Sequence, residues 1–276
     1  MSDVHTVKDY VEGLLGTLHL RRSEPAANEK TPVLCLHASP LSGLIFEEVI
    51  IRLGADRLVI APDTPGYGMS DAPETTPDIS DYARTFSHLI DTLSLGTVDL
   101  VGYATGSVIA AELARQQPHA VRRLVLFSAP VIDDDDRRIL GDRFGHTIRP
   151  KPDGSHLIPL WHQVFDGRGP GQTAALCMHV FPEHIRAEEE KKPWAPRAAF
   201  NFHLEEALTT ITQPMVIYNI ATEVHGSTQR AAQYVKPGTL VDLPGWGHGF
   251  LQTRSDETVA LIRGFLDNYE EVNSSD

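Results

Sequence analysis

Cysteine is scarce: only Cys35 and Cys177 stand among 276 residues. One pair cannot staple a secreted scaffold, and Cys35 lies inside an apolar run, so reduced thiols in a cytoplasmic protein are the expectation. Long apolar stretches are missing too. Nowhere does the chain reach the ~18 consecutive apolar residues that a membrane-spanning helix needs. Positive charge is in short supply, with Lys+Arg 24 against Asp+Glu 37, a net charge of −13 and a pI near 5.4. A surface of that sign repels polyanions, so neither nucleic acid nor an anionic membrane is an expected partner. Met1 to Thr6 are polar and lack the apolar core of a signal peptide, and none is expected.

Several chemistries lack their motifs. No G-x-x-x-x-G-K-[ST] phosphate loop occurs, and Gly66 and Gly68 begin a G-x-G that has no third glycine. Without H-E-x-x-H or paired-cysteine spacing, scattered histidines such as His179 and His184 are weak metal candidates, so neither a metal nor a cofactor is expected. What remains is ordinary: hydrophobic residues at 41% and charged residues at 22% describe a folded globular chain. At this length about 70% of the unfolded surface can be buried, enough for one large core.

The apolar runs are short. Thr31–Leu36, Arg57–Ala61, Val98–Val101, Arg123–Phe127, Pro214–Tyr218 and Thr239–Leu243 read as strands. Most are continuous rather than alternating, the pattern of parallel strands covered on both faces. Between them Ile79, Tyr82, Ala83, Phe86, Ile90 and Leu93 form one helical stripe behind Asp78, a natural N-cap. Gly106 to Gln117 is apolar almost all round and predicts a buried helix. Strand and helix in alternation predict a parallel sheet. Val11 to Arg22 reads as an antiparallel pair at one edge. From 131 to 212 the alternation stops, and a Pro-, Gly- and His-rich segment predicts a helical cap inserted between core segments 1–130 and 213–276. A helix closes the core from about Asp256 to Tyr269, followed by a polar tail from Glu270 to Asp276.

Chemistry concentrates where Val98–Val101 runs into the buried helix. Asp99 to Ser107 joins strand to helix through the tip Tyr103-Ala104-Thr105, with Gly102 before it and Gly106 after. Small neighbours are required there because backbones crowd at a strained strand-to-helix turn, the mechanics of a nucleophile elbow. N–H groups opening the helix then face a developing oxyanion. At this point the chain resembles the α/β-hydrolase superfamily, over nearly its whole length. His37-Ala38-Ser39-Pro40 is similar to the family's His-Gly-x-Pro loop, with Ala38 in place of glycine, which needs a negative φ there. Pro62 to Asp71 is similar to its Pro-Gly-x-Gly-x-Ser loop. Gly245 to Phe250 follows the last strand, where the family keeps a catalytic histidine. The resemblance implies an α/β-hydrolase fold, a mostly parallel sheet flanked by helices with an inserted cap. It implies His248 as general base, Ser39 and Thr105 as backbone donors of the oxyanion hole, and His37 as a residue that holds the oxyanion loop.

The departure is Ala104. A methyl group cannot attack a carbonyl, so the nucleophile position is empty of chemistry. Three explanations stand side by side: a nucleophile-inactivated form of an intact hydrolase, a natural non-serine chemistry, or a retired site used for binding. Thr105 and Ser107 are poor substitutes, one facing away from the cleft and one a half-turn into the helix. The plain alternative for His248 is that one histidine among 13 is surface or core. Its acid partner is Glu223, the carboxylate within reach after Pro214–Tyr218, whose plain alternative is an exposed loop glutamate. The Asp133–Asp136 run is the runner-up and reads otherwise as a solvated turn opening the cap. Trp161, Phe165, Phe181, Trp194, Phe200 and Phe202 either line an acyl or aryl pocket or pack the cap onto the core. The expected activity is cofactor-free hydrolysis of an ester, lactone, amide or C–C bond in a small apolar molecule. Alternatives are a lyase or oxygenase using His248 as base, and a non-catalytic ligand-binding protein. A small-molecule substrate is the expected partner, and a homodimer is left open.

Overall fold

A computed structural model describes residues 4–24, 30–144, 149–236 and 238–268. The polar tail from Glu270 to Asp276 lies outside them. Eight strands form one sheet: β1 (Thr6–Gly13), β2 (Gly16–Ser23), β3 (Val33–Leu36), β4 (Val59–Pro62), β5 (Val98–Tyr103), β6 (Val121–Phe127), β7 (Met215–Ile220) and β8 (Leu240–Leu243). Their order is β1-β2-β4-β3-β5-β6-β7-β8. β1 pairs antiparallel with β2, and β2 antiparallel with β4, while every later pairing is parallel. This is the α/β-hydrolase fold.

Side chains on a strand alternate between faces, so a strand covered on both sides must be apolar throughout. Leu34, Leu36, Leu100, Leu124 and Leu126 enter one core layer with Phe86 and Ile109. Val33, Cys35, Val101, Val125 and Phe127 enter the other with Ile50 and Ile262. The first layer is closed by α2 (Ile79–Thr92) and α3 (Thr105–Gln116) after α1 (Glu47–Leu53). Asp78 caps α2 through a capping box with Asp81.

Between β6 and β7 the described residues hold five helices and no strand: α4 (Asp134–Phe144), α5 (Leu157–Asp166), α6 (Ala174–Arg186), α7 (Trp194–Asn201) and α8 (Leu204–Thr210). Leu204, Ala207 and Leu208 of α8 join the layer that contains Ile109 and Leu113. Tyr67 ties the same segment down. Its hydroxyl donates to the Lys192 carbonyl at 2.7 Å and accepts from the Ala195 N–H at 3.2 Å. After β7 come α9 (His225–Arg230), α10 (Phe250–Thr253) and α11 (Ser255–Asn268). Among the described residues no helix is long and apolar enough to cross a membrane.

Helix α3 leans on the sheet because two residues lack side chains. A Cβ on Gly106 would sit 2.0 Å from the Leu36 carbonyl oxygen, and one on Gly102 would sit 2.6 Å from the Ser107 Cα. Backbone cannot yield as a flexible side chain can. Gly106→Ala should therefore cost about 3 kcal/mol, the upper end of an overpacking penalty. Gly264→Ala, on α11 with nothing within 4 Å of the added Cβ, should instead gain about 0.5–1 kcal/mol, the helix penalty of glycine relative to alanine. Urea unfolding of the two variants checks this, and changes of the same sign would contradict it.

Candidate active site

The elbow is set by the residues around it. Ala104 has φ 49° and ψ −110°, a conformation that L-residues avoid. Its N–H donates to the Phe127 carbonyl at 2.9 Å, and its carbonyl accepts from the Ser107 N–H at 2.9 Å. Strain of this kind costs on the order of 1–3 kcal/mol and persists where the surroundings over-determine it. Here the close approach of α3 does so. Thr105 opens α3, and the first N–H groups of a helix have no acceptor within it. Ser107 spends its hydroxyl on the Phe127 carbonyl at 3.0 Å.

The loop after β3 is held by buried polar groups. His37 is wholly enclosed, its Nδ1–H donating to the Ala38 carbonyl at 3.0 Å and its Nε2 accepting from the Thr64 N–H at 2.8 Å. Burial lowers its pKa, so the ring stays neutral and acts as a strut. Ala38 is not among the positive-φ residues, which explains why a side chain is tolerated there. Asp63, also buried, accepts from the Gly43 and Met69 N–H groups, both at 2.8 Å, and pairs with His19 Nδ1 at 2.8 Å. Burial pushes the Asp63 carboxyl up, but these contacts outweigh it and hold it low. Together they hold the backbone on either side of Ser39, at Ala38 and Gly43.

A cavity of about 150 Å³ opens over the elbow. Ser39, Ala104, Thr105, Glu223 and His248 all line it. Phe200 alone of the six aromatics named from the sequence joins its wall, beside Phe144 and Phe250. Trp161 instead stacks on Phe165 at 5.5 Å. His248 Nε2 lies 2.7 Å from Glu223 Oε2. Burial raises the Glu223 carboxyl, yet the hydrogen bond and charge of His248 outweigh this and leave it below the usual range. Glu223 is therefore an ionised acceptor. The Asp133–Asp136 run goes elsewhere: Asp136 accepts from Ser227 at 2.6 Å and pairs with Arg230, which also meets Asp133 at 3.3 Å.

Two residues named from the sequence without a role at this site also line the cavity. Tyr103 places its hydroxyl 2.8 Å from His248 Nδ1, and its ring stands edge-on to Phe250 at 5.2 Å. His184, from α6, lines the same cavity. Burial, then the charges of Lys192 and His248, push its pKa down to about 3. Tyr103 stands in the sequence only as part of the tip, and His184 only as a scattered histidine without metal-ligand spacing. The inserted segment also closes directly on the histidine loop, since a Cβ on Gly169 would lie 2.1 Å from the His248 carbonyl oxygen.

Comparison with known proteins gives the same fold. Residues 33–261 match the sequence model of the alpha/beta hydrolase family. A 2-(acetamidomethylene)succinate hydrolase from Mesorhizobium japonicum is 37% identical over 256 residues, covering 85% of this chain and 87% of its own. A haloalkane dehalogenase from Psychrobacter cryohalolentis is 26% identical over 278 residues, covering 91% of this chain and 88% of its own. Among solved structures, a hydrolase from Pseudomonas aeruginosa shares the fold with a TM-score of 0.81, at 14% identity over 94% of this chain and 98% of that one.

The depressed His184 pKa carries a sign. Above the ordinary value of 6.5 the ring is neutral folded and unfolded, and its contribution to stability is fully present. As pH falls below 6.5 toward about 3, the unfolded chain gains a proton that the folded chain refuses, and stability is lost. His184→Gln should shrink the drop in urea midpoint between neutral pH and the middle of that window. Equal drops in the two proteins would contradict the assignment.

Proposed function

Because the chain belongs to the alpha/beta hydrolase family, we propose that it is a cofactor-free hydrolase of an ester, lactone, amide or C–C bond in a small apolar molecule. The observation that carries this is the 2.7 Å contact between His248 and Glu223 in the cavity that holds the elbow. In this reading His248 is the base and then the acid, and Glu223 orients it and stabilises the imidazolium. Ser39 and Thr105 offer backbone N–H groups to the oxyanion, and His37 braces the oxyanion loop. Segment 131–212 is the cap that shuts water out. The apolar wall from Phe144, Phe200 and Phe250 favours a small apolar acyl or aryl group. The relative whose name contains an acetamido group supports the amide end of the range.

Ala104 sets the limit. The tip holds the strained backbone of a nucleophile elbow without an attacking atom, so covalent turnover through residue 104 is absent. A second reading, with His248 as base and no covalent intermediate, is favoured by one observation: its Nδ1 is already engaged by Tyr103.

The test is Ala104→Ser assayed on aryl esters and lactones, with mass spectrometry for an acyl adduct. Losing a nucleophile costs about 10⁶ in kcat where the rest of the site is intact, so recovery should be large. In that active background His248→Ala should abolish turnover, and Glu223→Gln should cost on the order of 10²–10⁴ in kcat. Neither turnover nor adduct from the serine variant would remove the serine-hydrolase reading. An unchanged rate for Glu223→Gln would remove the acid assignment.

A further inference from the structure

We propose that Tyr103 is a catalytic residue whose phenolic hydroxyl carries the proton between substrate and His248, in the place that a hydroxyl at the tip would otherwise take. The inference rests on the hydrolase reading above and names the group that lets the chain work with alanine at 104.

Both ring nitrogens of His248 are engaged, Nε2 by Glu223 at 2.7 Å and Nδ1 by Tyr103 at 2.8 Å. An ionised carboxylate only accepts, so Nε2 carries the hydrogen. In the neutral ring Nδ1 is then a lone pair, and the phenolic O–H donates to it. The chain of polarity runs from hydroxyl to imidazole to carboxylate, the order of a hydroxyl–histidine–acid triad. The hydroxyl belongs to Tyr103 rather than to residue 104.

Placement supports the role. Tyr103 ends β5 and lines the cavity beside Ala104, Thr105 and Ser39. Its ring is fixed edge-on to Phe250. A methyl at 104 neither competes for His248 nor fills the space beside the phenol as a longer side chain would. Burial, then the charge of Glu223, raises the Tyr103 pKa. The oxygen therefore passes a proton on rather than standing ionised as a nucleophile.

The step balances as follows. A water oxygen bonds to the carbonyl carbon while one of its protons moves to Tyr103 and the Tyr103 proton moves to His248 Nδ1. The carbonyl electron pair goes onto the oxygen facing the Ser39 and Thr105 N–H groups. On collapse the C=O bond re-forms and the leaving group departs with its bonding pair. It takes the proton back from His248 through Tyr103, giving a carboxylic acid and an alcohol or amine.

The test compares the unaltered chain with Tyr103→Phe, which keeps the ring against Phe250, on ethyl acetate and p-nitrophenyl acetate. Ethoxide needs a proton to leave and p-nitrophenolate does not. The variant should lose roughly 100-fold or more in kcat on the ethyl ester, where Tyr103 serves both water attack and leaving-group departure, and about tenfold on the nitrophenyl ester, where it serves attack alone, with KM little changed on both. Equal losses on the two esters would mark a structural role and overturn the proposal, as would no loss on either. An acyl adduct on Tyr103 would make it a nucleophile and overturn the relay. An unaltered chain with no turnover above the uncatalysed rate, beside an active Ala104→Ser variant, would overturn the Tyr103 role and leave the hydrolase reading standing. If both were inert, the two readings would fall together.

Discussion

Helix α3 reaches the sheet through a gap that no side chain can enter. Gly106 presses against the Leu36 and His37 carbonyls, and Gly102 against the backbone of Ser107. With both approaches fixed, the chain has one route from β5 into α3, and that route forces residue 104 into a conformation it would not choose. The same contact puts the opening N–H of α3 beside the end of β3, where Ser39 follows. The rest of the site is built outward from this junction. The loop after β7 brings Glu223, the loop after β8 brings His248, and the inserted helices close over both.

Two kinds of polar group surround the junction and do different work. Asp63 and His37 have every contact answered by backbone N–H groups, carbonyls or fixed partners, which makes them struts. A satisfied polar network of this sort rigidifies its loops. His248 and Glu223 border open space, and His248 keeps a third of its side chain exposed to the cavity, at 36%. Its two hydrogen bonds link the Tyr103 hydroxyl to the Glu223 carboxylate, whereas those of His37 both end on backbone.

Much of this was legible in the sequence, for local physical reasons. Strands covered on both faces announce themselves as continuous apolar runs, and Asp78 announces the start of α2. The elbow glycines signal a backbone contact that only glycine permits, and the order of elbow, Glu223 and His248 follows the strands. β1 extends further than the Val11–Arg22 pair suggests, because an edge strand alternates in exposure and blurs into its turn. Tyr103 was hidden because an aromatic in a buried strand reads as core, and its direction is set by Phe250 from the far end of the chain. The partner of Asp136 is Arg230, beyond the reach of any local pattern. His184 lies on α6, whose place over the cavity depends on tertiary packing alone.

The central claim is a direction: Glu223 holds the hydrogen on His248 Nε2, leaving Nδ1 as the acceptor of the Tyr103 hydroxyl. Nitrogen-15 NMR of the histidine side chains, assigned through loss of one signal set in His248→Ala, reads that direction without any substrate. In the neutral ring the account predicts a pyridine-type Nδ1 and a pyrrole-type Nε2. The opposite tautomer, with the hydrogen on Nδ1, would contradict it.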